Sequence, residues 1–333
     1  MPSRPIRVGV IGVGRQGERH SRVYSNLAGV QFVGVSDLSA DRGRAVADRY
    51  GVEYCRDYAD LLERVDAVSV ATPTTAHLEV VAECLRRQVH VLVEKPLAGD
   101  LEQARQIVHL ARQASVVLQV GHIERFNPAF LELQSVLADL PVIALNAQRL
   151  SPFDTSNTDT DVVLDLMIHD IDLVLALFGG GIEAIQACAR SARTALPDYV
   201  VATLTVARGP MATLTASRVT EHKVRLLEIT ALDAYVEVDL LGKTISIYRR
   251  TLPEYLANHQ RPLRYRQENV VERIYIPTAE PLLLQLQDFI RCVREGNQPK
   301  VTAEDGLRAL ELAARIREQS AVTELPAPAL LAV

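Results

Sequence analysis

The 333-residue chain predicts an α/β protein. An N-terminal domain on a doubly wound parallel sheet is followed by a second, α+β domain on an open, mainly antiparallel sheet. Three observations lead there. Ile6–Ile11 is an apolar, β-branched run that breaks into Gly12-Val13-Gly14-Arg15-Gln16-Gly17 and then into a helix-competent stretch. Short apolar runs then alternate with helical periodicity as far as Gly121, and parallel strands need such crossovers. Beyond residue 123 the texture changes to successive β-rich runs joined by short turns. The expected division is 1–122, 123–300, and a C-terminal helix and tail, 301–333, packing back on the first domain.

The glycine turn is the first element with a chemical reading. Gly12 allows the tight turn, Gly14 leaves no side chain between backbone and a pyrophosphate, and Gly17 lets helix and strand approach. Arg15 and Gln16 complete the loop, and the helix start offers N–H groups to phosphates. The next strand, Val30–Ser36, ends at Asp37, about 20 residues past the last glycine, where a carboxylate can accept both hydroxyls of an adenosine ribose. That carboxylate repels a 2′-phosphate, so NAD is expected over NADP. The alternative role for Asp37 is capping the helix that begins near Ser39.

The following elements continue the alternation. Helices are expected over 40–50, 58–64, 76–87 and 101–113, and strands over 52–54, 66–71, 90–93 and 115–120. The carboxyl ends of these strands carry Gly12, Asp37, Thr72, Lys95 and Gly121, which should face one crevice. In the second half, a helix is expected around 128–137, a strand at 142–150, a polar loop over 151–161 and a helix at 162–177. Strands follow at 183–190, 200–206, 212–218, 224–230, 235–239 and 244–248, read as an antiparallel meander. Helices at 282–294 and 304–319 precede a proline-interrupted tail, 321–333. Some strands, such as 182–189 and 203–206, read as apolar on both sides, which predicts that the open face is buried against another subunit.

Composition bounds the function. With 48% hydrophobic and 23% charged residues and a net charge of -5, the chain has ample core and no electrostatic footprint for nucleic acid or an anionic membrane. No charged-then-apolar leader precedes the first strand and no apolar run reaches about 18 residues, so a cytoplasmic location is expected. Cys55, Cys84, Cys188 and Cys292 are scattered, and neither a metal site nor a disulfide framework is expected.

Two stretches can do proton chemistry. Lys95 ends a buried strand within Glu94-Lys95-Pro96, where desolvation can lower an ammonium pKa enough for proton exchange with a hydroxyl. Whether Pro96 is cis, which would direct the lysine, is open. Asp165 and His169 lie four residues apart on a helix and share a face, and a histidine beside a carboxylate is a candidate acid/base.

Together, the glycine pattern, Asp37, Thr72-Pro73-Thr74-Thr75-Ala76-His77, Glu94-Lys95-Pro96 and Asp165 with His169 resemble the glucose–fructose oxidoreductase, inositol dehydrogenase and MocA (Gfo/Idh/MocA) family over nearly the whole chain. The resemblance implies a Rossmann domain plus an open-sheet domain, NAD(P) as hydride carrier, and a sugar or polyol substrate. It also implies that Lys95, Asp165 and His169 line the reacting carbon. Thr72, Pro73, His77, Glu94 and Lys95 then join the glycine loop and Asp37 as the cofactor-binding set. Thr74 departs from the asparagine that many members carry there.

The stretches Gly121–Phe130, Ser217–Thr220 and Glu280–Leu282 are similar to the branch of that family containing UDP-N-acetylglucosamine 3-dehydrogenase. This implies oxidation of a sugar secondary hydroxyl, with Arg125, Asn127 and Arg218 on the substrate and the arginines on its diphosphate. An assembly of two or four copies through the open sheet is expected. Two other readings are an NAD-dependent glycosidase on the same fold and a non-enzymatic dinucleotide-sensing regulator.

Overall fold

The computed structural model describes residues 4–155, 159–179, 181–250 and 269–324, which divide into two compact units. The first comprises residues 1–126 and 279–314, the second 127–278 and 315–333.

In the first unit, strands β1 (Ile6–Ile11), β2 (Val30–Ser36), β3 (Glu53–Cys55), β4 (Ala67–Val70), β5 (His90–Glu94) and β6 (Leu118–Gly121) form one sheet in the order β3-β2-β1-β4-β5-β6. Every pairing is parallel. The order reverses between β1 and β4, so the carboxyl ends of those two strands flank the crevice where such sheets bind ligands. The crossover helices are α1 (Arg15–Tyr24), α2 (Ala40–Tyr50), α3 (Tyr58–Leu62), α4 (His77–Arg86) and α5 (Leu101–Gln113). Their starts are set locally: the side chains of Ser39, Asp57 and Asp100 accept from backbone N–H groups of α2, α3 and α5.

Helix α8 (Pro281–Glu295) also belongs here, although the sequence reading left it with the second domain. Leu282, Leu286, Phe289 and Ile290 bury their side chains in the same cluster as Val8, Val10, Tyr24 and Leu92. An apolar helix face goes where a matching face is available, which sequence order does not reveal.

The second unit is built on a nine-stranded sheet of β7 (Val142–Leu150), β8 (Ile182–Ser191), β9 (Tyr199–Val206), β10 (Met211–Ser217), β11 (Val224–Ala231), β12 (Ala234–Asp239), β13 (Thr244–Arg250), β14 (Asn269–Ile274) and β15 (Ala321–Glu324). Its order is β14-β13-β12-β11-β7-β10-β9-β8-β15. The expected meander is therefore interrupted: β7 inserts between β10 and β11, parallel to the first and antiparallel to the second. The segment after α9 (Ala303–Gln319) adds β15 parallel to β8 at the sheet edge. The tail beyond residue 324, and residues 156–158 of the polar loop, lie outside the described residues.

Helices α6 (Pro128–Leu137) and α7 (Ile168–Phe178) pack on one face of this sheet, where Leu145, Ala147, Leu204, Leu214, Leu227 and Val236 are buried. Within one chain the strands alternate in burial, and the open face keeps Tyr199, Met211 and Tyr248 exposed beside its polar positions. In β8, Ile185 and Ala189 are buried while Gln186 and Cys188 are exposed. In β9 and β10, Thr203, Thr205, Thr213 and Thr215 are half-buried opposite the buried Leu204 and Leu214. The open face is threonine-rich, because β-branched threonine satisfies strand geometry on either side of a sheet.

Candidate functional site

The glycine loop has the shape its residues require. Gly12 has φ of 84°, and a Cβ there would stand 2.8 Å from the backbone of Ala71 and Thr72 at the end of β4. A Cβ on Gly17 would stand 1.8 Å from the Gly12 carbonyl oxygen, whereas nothing lies within 4 Å of that position on Gly14. The open side of Gly14 at the start of α1 is thus a cradle for an anion, backed by helix N–H groups. Arg15 is exposed there, and Gln16 is half-buried and accepts from Arg19 at 2.7 Å. Across the crevice, Thr72 Oγ1 is buried and finds no hydrogen-bond partner among the described residues, while Pro73 is exposed. An orphaned hydroxyl beside an open glycine cradle fits a dinucleotide.

Asp37 is buried at the end of β2. Its Oδ2 accepts from the Val13 N–H at 2.8 Å and its Oδ1 from the Ser39 N–H at 2.8 Å. Arg42 of α2 closes on both oxygens, Nη2 to Oδ1 at 2.7 Å and Nε to Oδ2 at 3.1 Å. Burial raises the carboxyl's pKa, but Arg42 and the two N–H groups outweigh it and hold the group below its ordinary value. Asp37 therefore braces the glycine loop and the entry to α2.

At the end of β5, Glu94 is buried and Lys95 is half-buried. The Lys95–Pro96 bond is cis. Glu94 Oε1 meets His20 Nε2 at 2.9 Å, His20 Nδ1 meets Ser69 Oγ at 3.0 Å, and Tyr24 OH meets Ser69 Oγ at 2.9 Å. With the His20 proton on Nε2, Tyr24 donates to Ser69, Ser69 to His20 and His20 to Glu94, so each buried group in the chain is satisfied. Burial raises the Glu94 pKa, but His20 and the nearby Lys95 charge reverse this and keep it lowered. Sequence reasoning missed His20, Ser69 and Tyr24. The available signal was three polar positions on the inward faces of α1 and β4.

His77 is a clamp. Its Nδ1 lies 3.0 Å from the Pro96 carbonyl oxygen and its Nε2 lies 3.1 Å from that of Thr72, and the single N–H of the neutral ring donates to one of the loops after β4 and β5 while the ring packs between them. Burial pushes its pKa below the usual 6.5, against the pull of those carbonyls. An unfolded chain thus takes up this proton near pH 6.5 and the folded chain only lower. The contribution to stability is complete above that pH and is lost as pH falls. Thermal unfolding midpoints are expected to drop from pH 7.5 to 5.5, with a shallower drop in His77→Asn. An identical slope in both proteins would remove His77 as a source of the pH dependence.

In the second unit, Asp161 starts the helical segment that carries Asp165 and His169. Its Oδ1 accepts from the N–H groups of Val163 and Leu164 at 2.9 and 3.2 Å. Val163–Met167 is a π-helical turn and leads directly into α7. Asp165 lies in that wider turn and His169 in the first turn of α7, and both are half-buried. Four-residue spacing was read as ordinary α-helix; the π turn changes the angular relation, and such turns recur at functional sites. The segment is anchored beside His169 by a buried fork, Arg149 Nε to Asp170 Oδ2 at 2.9 Å and Nη2 to Oδ1 at 2.7 Å.

The three residues expected on the substrate sit as follows. Arg218 is buried, with Nε on Asp198 Oδ1 at 2.6 Å, Nη1 on the Thr160 carbonyl at 2.6 Å and Nη2 on Thr194 Oγ1 at 2.9 Å. Asp198 also accepts from the N–H groups of Ala192, Arg193 and Thr194; burial raises its pKa, but these N–H groups and Arg218 outweigh that and bring it to about 2. Arg218 is therefore the brace of that loop. Asn127 caps α6, accepting from Ala129 N–H at 3.1 Å and donating to the Leu240 carbonyl at 3.0 Å. Arg125, in the first unit, is buried with Nη2 3.8 Å from Asp305 Oδ1.

Among the described residues no group of three or more His, Cys, Asp or Glu is placed to hold a metal ion, and no helix is long and apolar enough to cross a membrane. Cys55, Cys84 and Cys292 are buried free thiols, and Cys188 is exposed.

Comparison with known proteins adds the following. Residues 6–122 match the oxidoreductase family with an NAD-binding Rossmann fold, and residues 144–237 match the GFO/IDH/MocA C-terminal domain. The chain is 33% identical over 315 residues to the UDP-N-acetylglucosamine 3-dehydrogenase of Acidithiobacillus ferrooxidans, covering 94% of this chain and 96% of that one. A solved structure of the A. ferrooxidans enzyme superposes with a TM-score of 0.86 at 32% identity, covering 95% and 97% of the two chains. A 3-ketoreductase from Actinomadura kijaniata, solved with TDP-benzene and NADP, has a TM-score of 0.82 at 22% identity over 97% of this chain and all of that one, a likeness of fold.

Proposed function

Since the chain belongs to the Gfo/Idh/MocA oxidoreductase family, we propose that this dehydrogenase of CH–OH groups oxidises a secondary hydroxyl of a nucleotide sugar, the 3-hydroxyl of UDP-N-acetylglucosamine, with NAD as its cofactor. The observation that carries this reading is the end-to-end similarity to the A. ferrooxidans enzyme. NAD, when bound, accepts the hydride from the carbon being oxidised. The chain's own groups do the rest. Gly12, Gly14 and Gly17 with the start of α1 hold the pyrophosphate, and Asp37 reads the adenosine ribose. Arg15, Gln16, Thr72, Pro73, His77 and Glu94 shape the remainder of the cofactor crevice.

His169 takes the hydroxyl proton and Lys95 stabilises the developing alkoxide, or the two exchange these roles, while Asp165 orients the imidazole. Arg125 and Asn127 frame the substrate side, and Arg218 acts by holding the 192–198 loop in shape. The net change is one hydride to the cofactor and one proton to solvent, leaving a ketone. Assembly into two or four copies through the open sheet face belongs to the same reading.

Absorbance at the NADH band tests it, with the protein offered UDP-sugars, free sugars and inositols while light scattering reads the mass. UDP-N-acetylglucosamine is expected to give NADH. Signal with inositols alone would move the substrate class. Free sugar released without net NADH would replace the dehydrogenase by a glycosidase, and a single-chain mass would exclude the assembly.

A further inference from the structure

The Asp37 carboxylate has no acceptor capacity to spare. Two carboxylate oxygens offer about four lone-pair positions, and four N–H donors already occupy them: Val13 and Ser39 from the backbone, Arg42 twice. A ribose diol needs two of those positions. The backbone donors cannot leave, because the glycine turn and the start of α2 depend on them. Arg42 can leave, since its side chain is 54% exposed against 4% for Asp37 and extends from the first helical turn. The neighbouring Leu38 is 91% exposed, an apolar surface beside the pair that suits the flat face of an adenine.

We propose that Arg42 is the cofactor-specificity residue of this chain: it must surrender Asp37 for the ribose of NAD, and it offers a guanidinium to the 2′-phosphate of NADP. With NAD the two hydroxyls of the diol replace the two N–H donors of the guanidinium, so the carboxylate keeps its four hydrogen bonds and the half-exposed Arg42 returns to water. With NADP the guanidinium stays between two anions, bridging the Asp37 carboxylate and the phosphate and cancelling the repulsion that an acid at this position otherwise imposes. The pocket therefore accepts both cofactors, and the acid alone does not decide between them. The inference rests on the dinucleotide reading above and deepens it.

The test is fluorescence titration of NADH and NADPH onto the wild-type protein, Arg42→Ala and Asp37→Ala, with no sugar present. Wild type is expected to bind both. Arg42→Ala is expected to bind NADPH more weakly by about tenfold or more, the loss of charge-assisted hydrogen bonds, and NADH no more weakly than wild type. Asp37→Ala is expected to shift the other way, weakening NADH and tightening NADPH. An Arg42→Ala protein with unchanged NADPH affinity, or with both cofactors weakened equally, overturns the role of Arg42 and leaves the dinucleotide reading standing. A wild type that binds NADH but no NADPH also overturns it. Binding of neither by the wild type overturns both.

Discussion

Lys95→Met and His169→Ala are each expected to lower turnover by about 10²–10⁴-fold, the range for removing a positioned acid or base, while leaving NADH fluorescence titrations near wild type. The asymmetry between rate and binding is what distinguishes proton chemistry from a structural role. Lys95 follows the buried strand β5, whose last residue Glu94 is held by His20, so its removal leaves the glycine cradle and Asp37 untouched. His169 belongs to the other unit altogether. A pH–rate profile then assigns the base, because the variant lacking it loses the acidic limb. Near-normal rates in both variants would end the assignment of roles.

The largest effect on stability is expected from Arg149→Met. Arg149 and Asp170 are 3% and 4% exposed, and removing one partner leaves the other charge buried without its fork. Breaking such a pair costs about 3–5 kcal/mol, read as a lowered urea midpoint. The double variant Arg149→Met/Asp170→Leu should recover much of that loss, because replacing both charges by apolar groups avoids the uncompensated carboxylate. The single variant should also lose activity below its unfolding transition, since Asp170 is the chain neighbour of His169. A loss under about 1 kcal/mol in the single variant would show that this fork does not anchor α7.

Much of the first unit was legible because its signals are local. A glycine with φ of 84° at Gly12 and an impossible Cβ at Gly17 are backbone constraints that only one residue type meets. The helix starts at Ser39, Asp57 and Asp100 and the buried strands β1, β4 and β5 likewise follow from side chains next to the backbone they satisfy. The candidate Lys95 was found through its position at a strand end. By contrast, the π turn at Val163–Met167 shares the apolar pattern of the α-helix it extends, so periodicity could not separate them. Arg218 was expected on the substrate diphosphate, and its bonds to Asp198 and Thr194, some twenty residues away along the chain, carried no local signal.

The sequence by itself determined the alternation of strands and helices in the first unit, the glycine loop and the acid at the end of β2, because each depends on contacts within a few residues along the chain. Tertiary structure alone decided that β7 lies between β10 and β11, that α8 shares the core of the parallel sheet, that His20 completes Glu94, and that Arg42 occupies Asp37. Hydrophobic period and side-chain type state what an element must bury or bond. They do not state which partner arrives, since that choice is made by the summed fit of surfaces distant in sequence.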